Sequence, residues 1–176
     1  MTLKIPPDLV FAQKLVYSPC NLKCQNFILE KESQAYSAVD FEINDLNIKF
    51  RVAKTTPTKT GQFVTLWKRI GKGPILPFDA ADPIDFFVIS VRKKERLGQF
   101  VFSKRILIEK GILSTNELDG KRALRVYPPW DDVGSKQAIQ TQKWQSMYFF
   151  EICLKGLTDF EKVLELYSKS KRTLNL

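Results

Sequence analysis

Apolar and polar residues alternate along several short stretches of this sequence, which predicts a protein rich in β-strands. Four stretches favour strands: residues 36–43, 48–53, 62–67 and 84–91. The last of them is apolar almost without interruption, which is typical of a strand buried on both faces. The turn-forming residues Asn44, Asp45 and Asn47 separate the first two strands, so this pair is predicted to form a β-hairpin.

The second half of the sequence mixes shorter strand patterns with helical periodicity. Strands are predicted at residues 99–102 and 123–127, and residues 92–98 are interpreted as a charged turn. Helices are predicted at residues 7–17, 105–110, 135–149 and 158–172, and the ambiguous stretch 21–34 is interpreted as a further short helix. Ser135 is a plausible N-cap of the helix at residues 135–149, and Thr158 or Asp159 can cap the last helix. Gly111 is expected to end the helix at residues 105–110.

No linker or change of composition divides the 176 residues, so the sequence predicts one domain spanning residues 1–176. The mixture of helices and strands, many of the strands joined by short turns, predicts the α+β class. Its central sheet is expected to be mixed, mostly antiparallel and flanked by helices.

The composition, with 44% hydrophobic and 12% aromatic residues, is that of a globular protein. No apolar run reaches the ~18 residues that a membrane span needs, and prolines interrupt the N-terminal apolar residues where a signal peptide would be. A cytoplasmic location is therefore expected. The formal net charge of +9 favours a polyanionic partner such as nucleic acid.

Histidine is absent, which excludes Ser-His-Asp and Cys-His catalysis and every zinc site that needs imidazole. The cysteines Cys20, Cys24 and Cys153 are too few for a four-thiolate metal site, and they are expected to be reduced thiols. No bound metal or other cofactor is predicted.

Residues 46–78, here called the acid-free window, contain lysines and arginines but no aspartate or glutamate. A folded surface usually mixes charges of both signs, so this run indicates contact with phosphates. The candidate ligands within it are Lys54, Thr58, Lys59, Gln62, Lys68, Arg69 and Lys72. Phe63 and Trp67 can stack on unpaired bases, although Phe63 is expected to be mainly a core residue.

Other basic segments extend this set if the sheet brings them alongside. The further candidates for contact with nucleic acid are Lys104, Arg105, Arg122, Arg125, Tyr127, Trp130 and Gln142. Tandem prolines hold Tyr127 and Trp130 in an extended loop, either for binding or for packing against the sheet.

Metal-dependent cleavage of phosphodiesters is an alternative, because acidic residues occur near the predicted strands. Such a reaction needs converging carboxylates that hold Mg²⁺ and usually a lysine. The candidates are Asp85, Glu32, Asp40 and Glu42, with Glu30 in addition and Lys54 or Lys104 as the lysine. None of these forms a specific motif, so binding is favoured over catalysis.

The sequence resembles the MepB family over nearly its full length. The segments that carry the resemblance are TPTKTGQFVTLWKR, DFFVISV with the following GQFVFSK, GKRALRVYPPWD and TQKWQ. The resemblance implies a fold similar to restriction-endonuclease-like proteins and a function in nucleic-acid binding. The sequence departs from the PD-(D/E)xK nuclease pattern, because no strand-borne acidic-x-Lys follows Asp40 or Asp85 at the expected distance.

The sequence therefore predicts a nucleic-acid-binding protein, with DNA favoured over RNA, that contacts phosphates through a basic loop and strand. A degenerate Mg²⁺-dependent nuclease is one alternative. A module that binds an acidic protein partner is the other.

Overall fold

A computed structural model describes residues 4–168 of the chain, which form strands and helices in an α+β arrangement. The strands are β1 (Cys24–Leu29), β2 (Val39–Ile43), β3 (Leu46–Val52), β4 (Lys54–Thr55), β5 (Gln62–Thr65), β6 (Trp67–Arg69), β7 (Ile75–Pro77), β8 (Phe86–Lys93), β9 (Arg96–Ser103), β10 (Ala123–Val126) and β11 (Phe149–Ile152). The helices are α1 (Pro7–Ala12), which continues as wider π-type turns over Gln13–Tyr17, then α2 (Lys104–Glu109), α3 (Lys136–Ser146) and α4 (Phe160–Ser168).

The central sheet has six strands in the order β1-β2-β3-β8-β9-β11. Only the β3–β8 pair is parallel, and all the other neighbours are antiparallel. The predicted class, α+β with a mixed and mostly antiparallel central sheet, is confirmed. Strand β8 lies in the interior of the sheet and residues 86–91 are buried, as its apolar sequence predicts.

Each face of the central sheet is covered by a different layer. On one face, Phe41, Ile48 and Phe50 pack with the apolar sides of α1 and α4. On the other face, Phe87 and Ile89 pack with residues from the larger of two smaller sheets and from α2 and α3. The smaller sheets are three-stranded, in the order β10-β5-β4, and two-stranded, β6-β7.

Several predicted details are confirmed. Asn44 and Asp45 have φ angles of 47° and 68° and form the turn between β2 and β3. Ser135 caps α3 by accepting a hydrogen bond from the Ala138 amide, and Gly111 follows α2 with a φ of 63°. In the last helix, Asp159 accepts a hydrogen bond from the Lys162 amide. The predicted end of that helix, residues 169–172, lies outside the described residues.

The prediction of a helix at residues 21–34 is wrong. Cys24–Leu29 is an edge strand that pairs with β2, and its register shifts between Gln25 and Ile28. Asn26 at this bulge has a φ of 56°, so the strand does not keep the period of two that would identify it in the sequence.

Two boundaries also differ from the prediction, namely the extent of the charged turn and the end of the helix predicted at residues 135–149. The charged turn is shorter than residues 92–98, because β8 and β9 pair up to Lys93 and Arg96 and leave Lys94 and Glu95 at the tip. Phe149 belongs to strand β11 and not to the preceding helix, since it pairs with Phe100 of β9. Burial against β9 overrides the helical periodicity there.

A candidate nucleic-acid interface on the three-stranded sheet

The three-stranded sheet has one apolar face and one polar face. Val64 and Leu66 are 0% and 1% exposed and pack into the core, whereas Phe63, Thr65 and Trp67 on the opposite side are half-buried. The expectation that Phe63 is mainly core is therefore wrong. Because alternate residues of a strand point to opposite faces, Val64 and Leu66 supply the core and leave the aromatic side chains on the outer face.

Cations and aromatic rings alternate across this outer face. Phe63 pairs in register with Lys54 of β4 on one side and Arg125 of β10 on the other. The Arg125 guanidinium lies 5.9 Å from the Phe63 ring centroid, and Lys54 Nζ lies 5.2 Å from that of Tyr36. Tyr36 itself lies 6.2 Å from Phe63, measured between ring centroids. The contacts link Lys54, Tyr36, Phe63 and Arg125 into one continuous surface.

Arg125 also holds the loop of residues 56–60 against β10. Its Nη1 donates hydrogen bonds to Thr56 Oγ1 at 3.0 Å and to the carbonyl oxygens of Thr60 and Gly61 at 3.4 and 3.3 Å. These acceptors are neutral, so Arg125 positions the loop while its charge is not cancelled by them. Lys59 and Thr58 remain exposed on the loop.

A groove of about 550 Å³, here called the basic groove, lies between the outer side of β10, the loop of residues 56–60 and the first part of α3. Its polar lining side chains are Lys59, Thr60, Lys121, Arg125, Tyr127, Ser135, Gln137 and Thr141. None of the lining residues in the described part of the chain is an aspartate or glutamate. The groove thus presents positive charge and hydrogen-bond donors without a carboxylate among them.

Gln145 and Gly61 fix the position of β10 at this groove. The side chain of Gln145 is buried and uses both of its polar ends on the β10 backbone, accepting from the Tyr127 amide at 2.8 Å and donating to the Arg125 carbonyl at 3.0 Å. Gly61 has a φ of 82°, and a Cβ there would lie 2.6 Å from the Tyr127 ring. Only glycine allows this approach without strain, and Tyr127 is thereby held at the groove wall.

Of the predicted basic segments, the structure brings two side by side. Antiparallel pairing of β10 with β5 brings Arg125 beside Phe63, so these two basic segments share one surface. The segment at the tip of β8 and β9 does not join it. Three of its cations are paired with a carboxylate, namely Arg92 with Asp8, Lys93 with Asp131 and Arg96 with Glu151, and Lys94 is exposed at the tip.

Four predicted phosphate ligands instead support the fold. Gln62 is buried and donates to the Arg92 carbonyl, and Gln142 donates to the carbonyls of Pro128 and Asp131. Lys68 Nζ lies 2.6 Å from Asp82 Oδ2, and Lys104 Nζ donates to the Ala80 and Asp82 carbonyls. For these four side chains the prediction is corrected, because neighbours in space already use their donors.

The remaining predicted ligands differ in how accessible they are. Lys54, Lys72 and Arg105 are exposed. Arg69 pairs with Glu32 at 3.2 Å and Arg122 with Asp119 at 3.4 Å, both near the surface.

Trp130 is used in packing, so its prediction as a ligand is corrected. Its ring meets Phe149 edge-on at 5.2 Å, and the Arg96 guanidinium lies 4.6 Å from its centroid. Of the two alternatives for the extended loop of residues 127–131, binding or packing, Trp130 therefore follows the second, because its side chain packs against the central sheet.

A second charged site, here called the ionic cluster, consists of Glu30, Asp40, Lys49 and Arg51. Arg51 is 0% exposed and binds Glu30 through two hydrogen bonds, with Nη1 at 2.7 Å and Nη2 at 2.9 Å from its carboxylate oxygens. Lys49 Nζ lies 2.7 Å from Asp40 and 3.3 Å from Glu30. Two cations of β3 and two carboxylates, one on β2 and one just after β1, therefore balance one another.

The two carboxylates of the ionic cluster have opposite pKa shifts. Burial raises the pKa of Asp40 to about 6, and the hydrogen bond and negative charge of Glu30 act in the same direction against the opposing effect of Lys49. Burial alone raises the pKa of Glu30, but its hydrogen bond with Asp40 and the charge of Arg51 outweigh that effect and lower it below the ordinary value. Glu30 is thus the member of the pair that stays ionised, and Asp40 is the member that takes up a proton first.

The carboxylates proposed for a nuclease are dispersed. Asp85 accepts a hydrogen bond from the Asn47 amide at the start of β8, Glu42 accepts from Gln25 and Asn26, and Glu32 pairs with Arg69. Only Asp40 meets another candidate, Glu30. Within residues 4–168, no three Asp, Glu or Cys side chains converge as a group that could hold a metal ion.

Three contributors to the surface lay outside the predicted set of ligands. Lys121 stands in the same basic segment as Arg122, and its charge is the signal that identifies it. Tyr36 reaches the surface from the β1–β2 connection, and nothing local in the sequence indicates that contact. Gln145 acts through β10, so its contribution depends on the packing of α3 against that strand.

Among residues 4–168, no helix is long and apolar enough to cross a lipid bilayer.

No functionally curated protein matches the chain. A solved structure described as the crystal structure of MepB is similar to it, with a TM-score of 0.73 and 37% sequence identity, covering 82% of this chain and 98% of that one. The restriction-endonuclease-like fold stays a prediction. The model of the MepB-like family matches residues 30–151, which include the ionic cluster and the residues that line the basic groove. The chain therefore belongs to the MepB-like family.

Proposed function

We propose that this protein binds nucleic acid, with DNA favoured over RNA, by contacting phosphates in the basic groove. The observation that carries the proposal is the lining of the groove, which includes Lys59, Lys121 and Arg125 and, among residues 4–168, no carboxylate. Phosphate oxygens bind lysine and arginine and release condensed counterions when they do so. Lys54 extends the same surface across the outer face of the sheet.

Two features support a phosphate ligand over a merely solvated surface. Lys59 and Lys121 come from segments far apart in sequence, yet the pairing of β5 with β10 brings both segments to one groove. Neutral donors, Gln137 and Thr141 among them, face the same space and can bind phosphate oxygens that the cations leave free. The proposal includes a cytoplasmic location, which the three unpaired cysteines support.

The salt dependence of binding tests the proposal. Affinity for a DNA duplex is measured by fluorescence anisotropy from about 50 to about 200 mM salt, for the wild type and the Lys59→Ala/Lys121→Ala double variant. Each lost phosphate contact lowers the slope of log K against log salt by about 0.9, so the double variant should lose about 1–2 units of slope. Lys14→Ala is the matched control, because Lys14 is exposed on the π-type turns that follow α1, on the other side of the central sheet.

Wild-type protein that binds neither DNA nor RNA at low salt would refute the proposal. An equal slope for the wild type and the double variant would remove the basic groove as the site. An acidic protein partner would also be attracted to these lysines, but its capture would survive nuclease treatment. A parallel titration with RNA of the same sequence measures the preference for DNA.

A further inference from the structure

We propose that the nucleic acid bound on this surface is single-stranded, with unpaired bases stacking on Phe63 and Trp67 while the phosphates contact the basic groove. The inference rests on the proposed function and adds the form of the ligand. It concerns an aromatic row, defined as Tyr36, Phe63 and Trp67, on the outer face of the three-stranded sheet and its continuation. Phosphate contacts alone do not require such a row.

The rings of the aromatic row are half-buried, and for Phe63 and Trp67 the reason is that the residues that alternate with them pack into the core. Val64 and Leu66 are almost fully buried, so Phe63 and Trp67 must project outward. The two positions are four residues apart along an extended chain, which separates them by about 13 Å. A flat ring at that position remains partly in contact with water unless a ligand covers it, and the face of a base is such a ligand.

Each ring of the aromatic row has a cation at its face. Arg125 lies 5.9 Å from the Phe63 centroid, Arg69 lies 5.5 Å from that of Trp67, and Lys54 lies 5.2 Å from that of Tyr36. A single strand offers a base and a phosphate at every nucleotide, and this surface offers an aromatic ring and a cation side by side. A duplex keeps its bases stacked inside and offers mainly phosphates, so it cannot use the rings.

The charge of the surface varies along the row. The Phe63 end adjoins the basic groove, where none of the described lining residues is a carboxylate. At the Trp67 end, Glu32 pairs with Arg69, and Ser33 Oγ contacts Thr65. We therefore expect stacking on Phe63 to contribute more than stacking on Trp67.

Four labelled probes of about 16 nucleotides, the upper range of single-strand sites, test the inference. They are a single DNA strand, the same strand without bases, its duplex, and the RNA of the same sequence. The wild type should bind the single strand at least about tenfold more tightly than the abasic strand, because each stacked base contributes a factor of about five or more. The DNA and RNA strands together show whether the sugar matters.

Variants then assign the stacking to residues. Phe63→Leu should weaken binding of the base-bearing strand about tenfold and leave binding of the abasic strand and the slope against salt unchanged. Phe11→Leu is the matched control, since Phe11 is an exposed aromatic residue with Arg92 5.9 Å from its centroid, on the helix that covers the opposite face of the central sheet. Circular dichroism verifies that each variant is folded.

The outcomes separate the two proposals. If the abasic strand or the duplex binds as tightly as the base-bearing single strand, the stacking inference is overturned and nucleic-acid binding by phosphate contact stands. If none of the four probes binds at low salt, the proposed function itself fails. The comparison of base-bearing and abasic strands uses the wild type alone, so it decides the question even if a variant does not fold.

Discussion

The ionic cluster and the basic groove use cations from the same acid-free window in opposite ways. Lys49 and Arg51 lie on β3 and meet Glu30 and Asp40, so their charges are balanced inside the molecule. Lys59 lies on the following loop and lines a groove that has no carboxylate from the described part of the chain. Within about ten residues of sequence, one set of cations pairs with carboxylates of the neighbouring strands of the central sheet, and Lys59 is exposed at the basic groove.

The difference shows that a run of one charge sign in the sequence does not by itself define a binding surface. Folding brings Asp82 to Lys68 and Glu32 to Arg69 across many residues of sequence. The acids that neutralise the window come from outside it. Whether a cation is free to bind a ligand therefore depends on its neighbours in space. The basic groove differs from the ionic cluster because the neighbours of its cations are neutral.

The largest expected effect comes from breaking the buried pair of the ionic cluster. Arg51→Met leaves Glu30 with Lys49, 3.3 Å away, as its cationic partner, and we expect the free energy of unfolding to fall by about 3 kcal/mol. Urea denaturation measures the change. The double variant Glu30→Gln/Arg51→Met should recover part of the loss, because no charge then remains uncompensated.

Arg105→Met serves as the control for this prediction, since Arg105 is exposed on α2 and a surface substitution typically changes stability by less than about 0.5 kcal/mol. Equal destabilisation by both arginine substitutions would mean that the pairing with Glu30 contributes nothing particular.

The next effect concerns the link between Arg125 and the loop of residues 56–60. Arg125→Ala removes one cation from the basic groove and three hydrogen bonds that hold the loop carrying Lys59, so affinity for nucleic acid should fall about tenfold or more. Lys121→Ala removes a groove cation without touching those bonds and should cost less. Hydrogen exchange of residues 58–60 should speed up in the first variant only; unchanged exchange would show that Arg125 does not order the loop.

A smaller effect is the pH dependence that the ionic cluster gives to stability. The pKa of Asp40 is raised from 3.8 to about 6, so between these values the folded protein holds a proton that the unfolded chain has released. The contribution of Asp40 to the free energy of unfolding therefore falls as pH rises through that window. In Asp40→Asn this contribution is absent, and the stability of the variant relative to the wild type should rise between about pH 5 and about pH 7.

Denaturation at the two pH values measures this relative change, and its sign is the test because solvent screens part of the effect at this partly exposed carboxyl. A relative stability that stays constant or falls would contradict the raised pKa. Glu30 has a lowered pKa, so its contribution to the free energy of unfolding is lost only as the pH falls below the ordinary value of 4.5. That loss lies below the range from about pH 5 to about pH 7 in which the two proteins are compared.

The smallest expected effect separates Lys68 from Lys59. Both lie in the acid-free window, but Lys68 is engaged with Asp82 and Lys59 is exposed at the basic groove. Lys68→Met should change affinity for nucleic acid by less than about twofold, whereas Lys59→Met should weaken it about fivefold. Equal losses, measured by anisotropy at one salt concentration, would show that the pairing of Lys68 in the free protein does not decide its role.

Much of the fold could be predicted from local sequence pattern. The β2–β3 hairpin followed from alternation and from the Asn-Asp turn, and the burial of β8 followed from its apolar run. Strand β1 could not be predicted, because its bulge breaks the alternation. Strand β11 could not either, because its conformation comes from pairing with β9.

The candidate site was predictable only in outline. The sequence indicated Lys59, Arg125 and Tyr127 as binding residues, and the structure brings all three to one groove. It also indicated Gln62 and Lys104, whose donors are used by backbone carbonyls. Tyr36 was missed, because its contact with Lys54 arises from the β1–β2 connection and has no local pattern.

The sequence by itself determined the α+β class, most of the elements and the concentration of positive charge between residues 46 and 78, because periodicity and charge are local properties of the chain. The tertiary structure decided which of those charges are free. Glu30 reaches Arg51, and β10 reaches β5, only through the order of strands in the two sheets. Electrostatic balance depends on distances of a few ångströms in space, and strand order sets those distances.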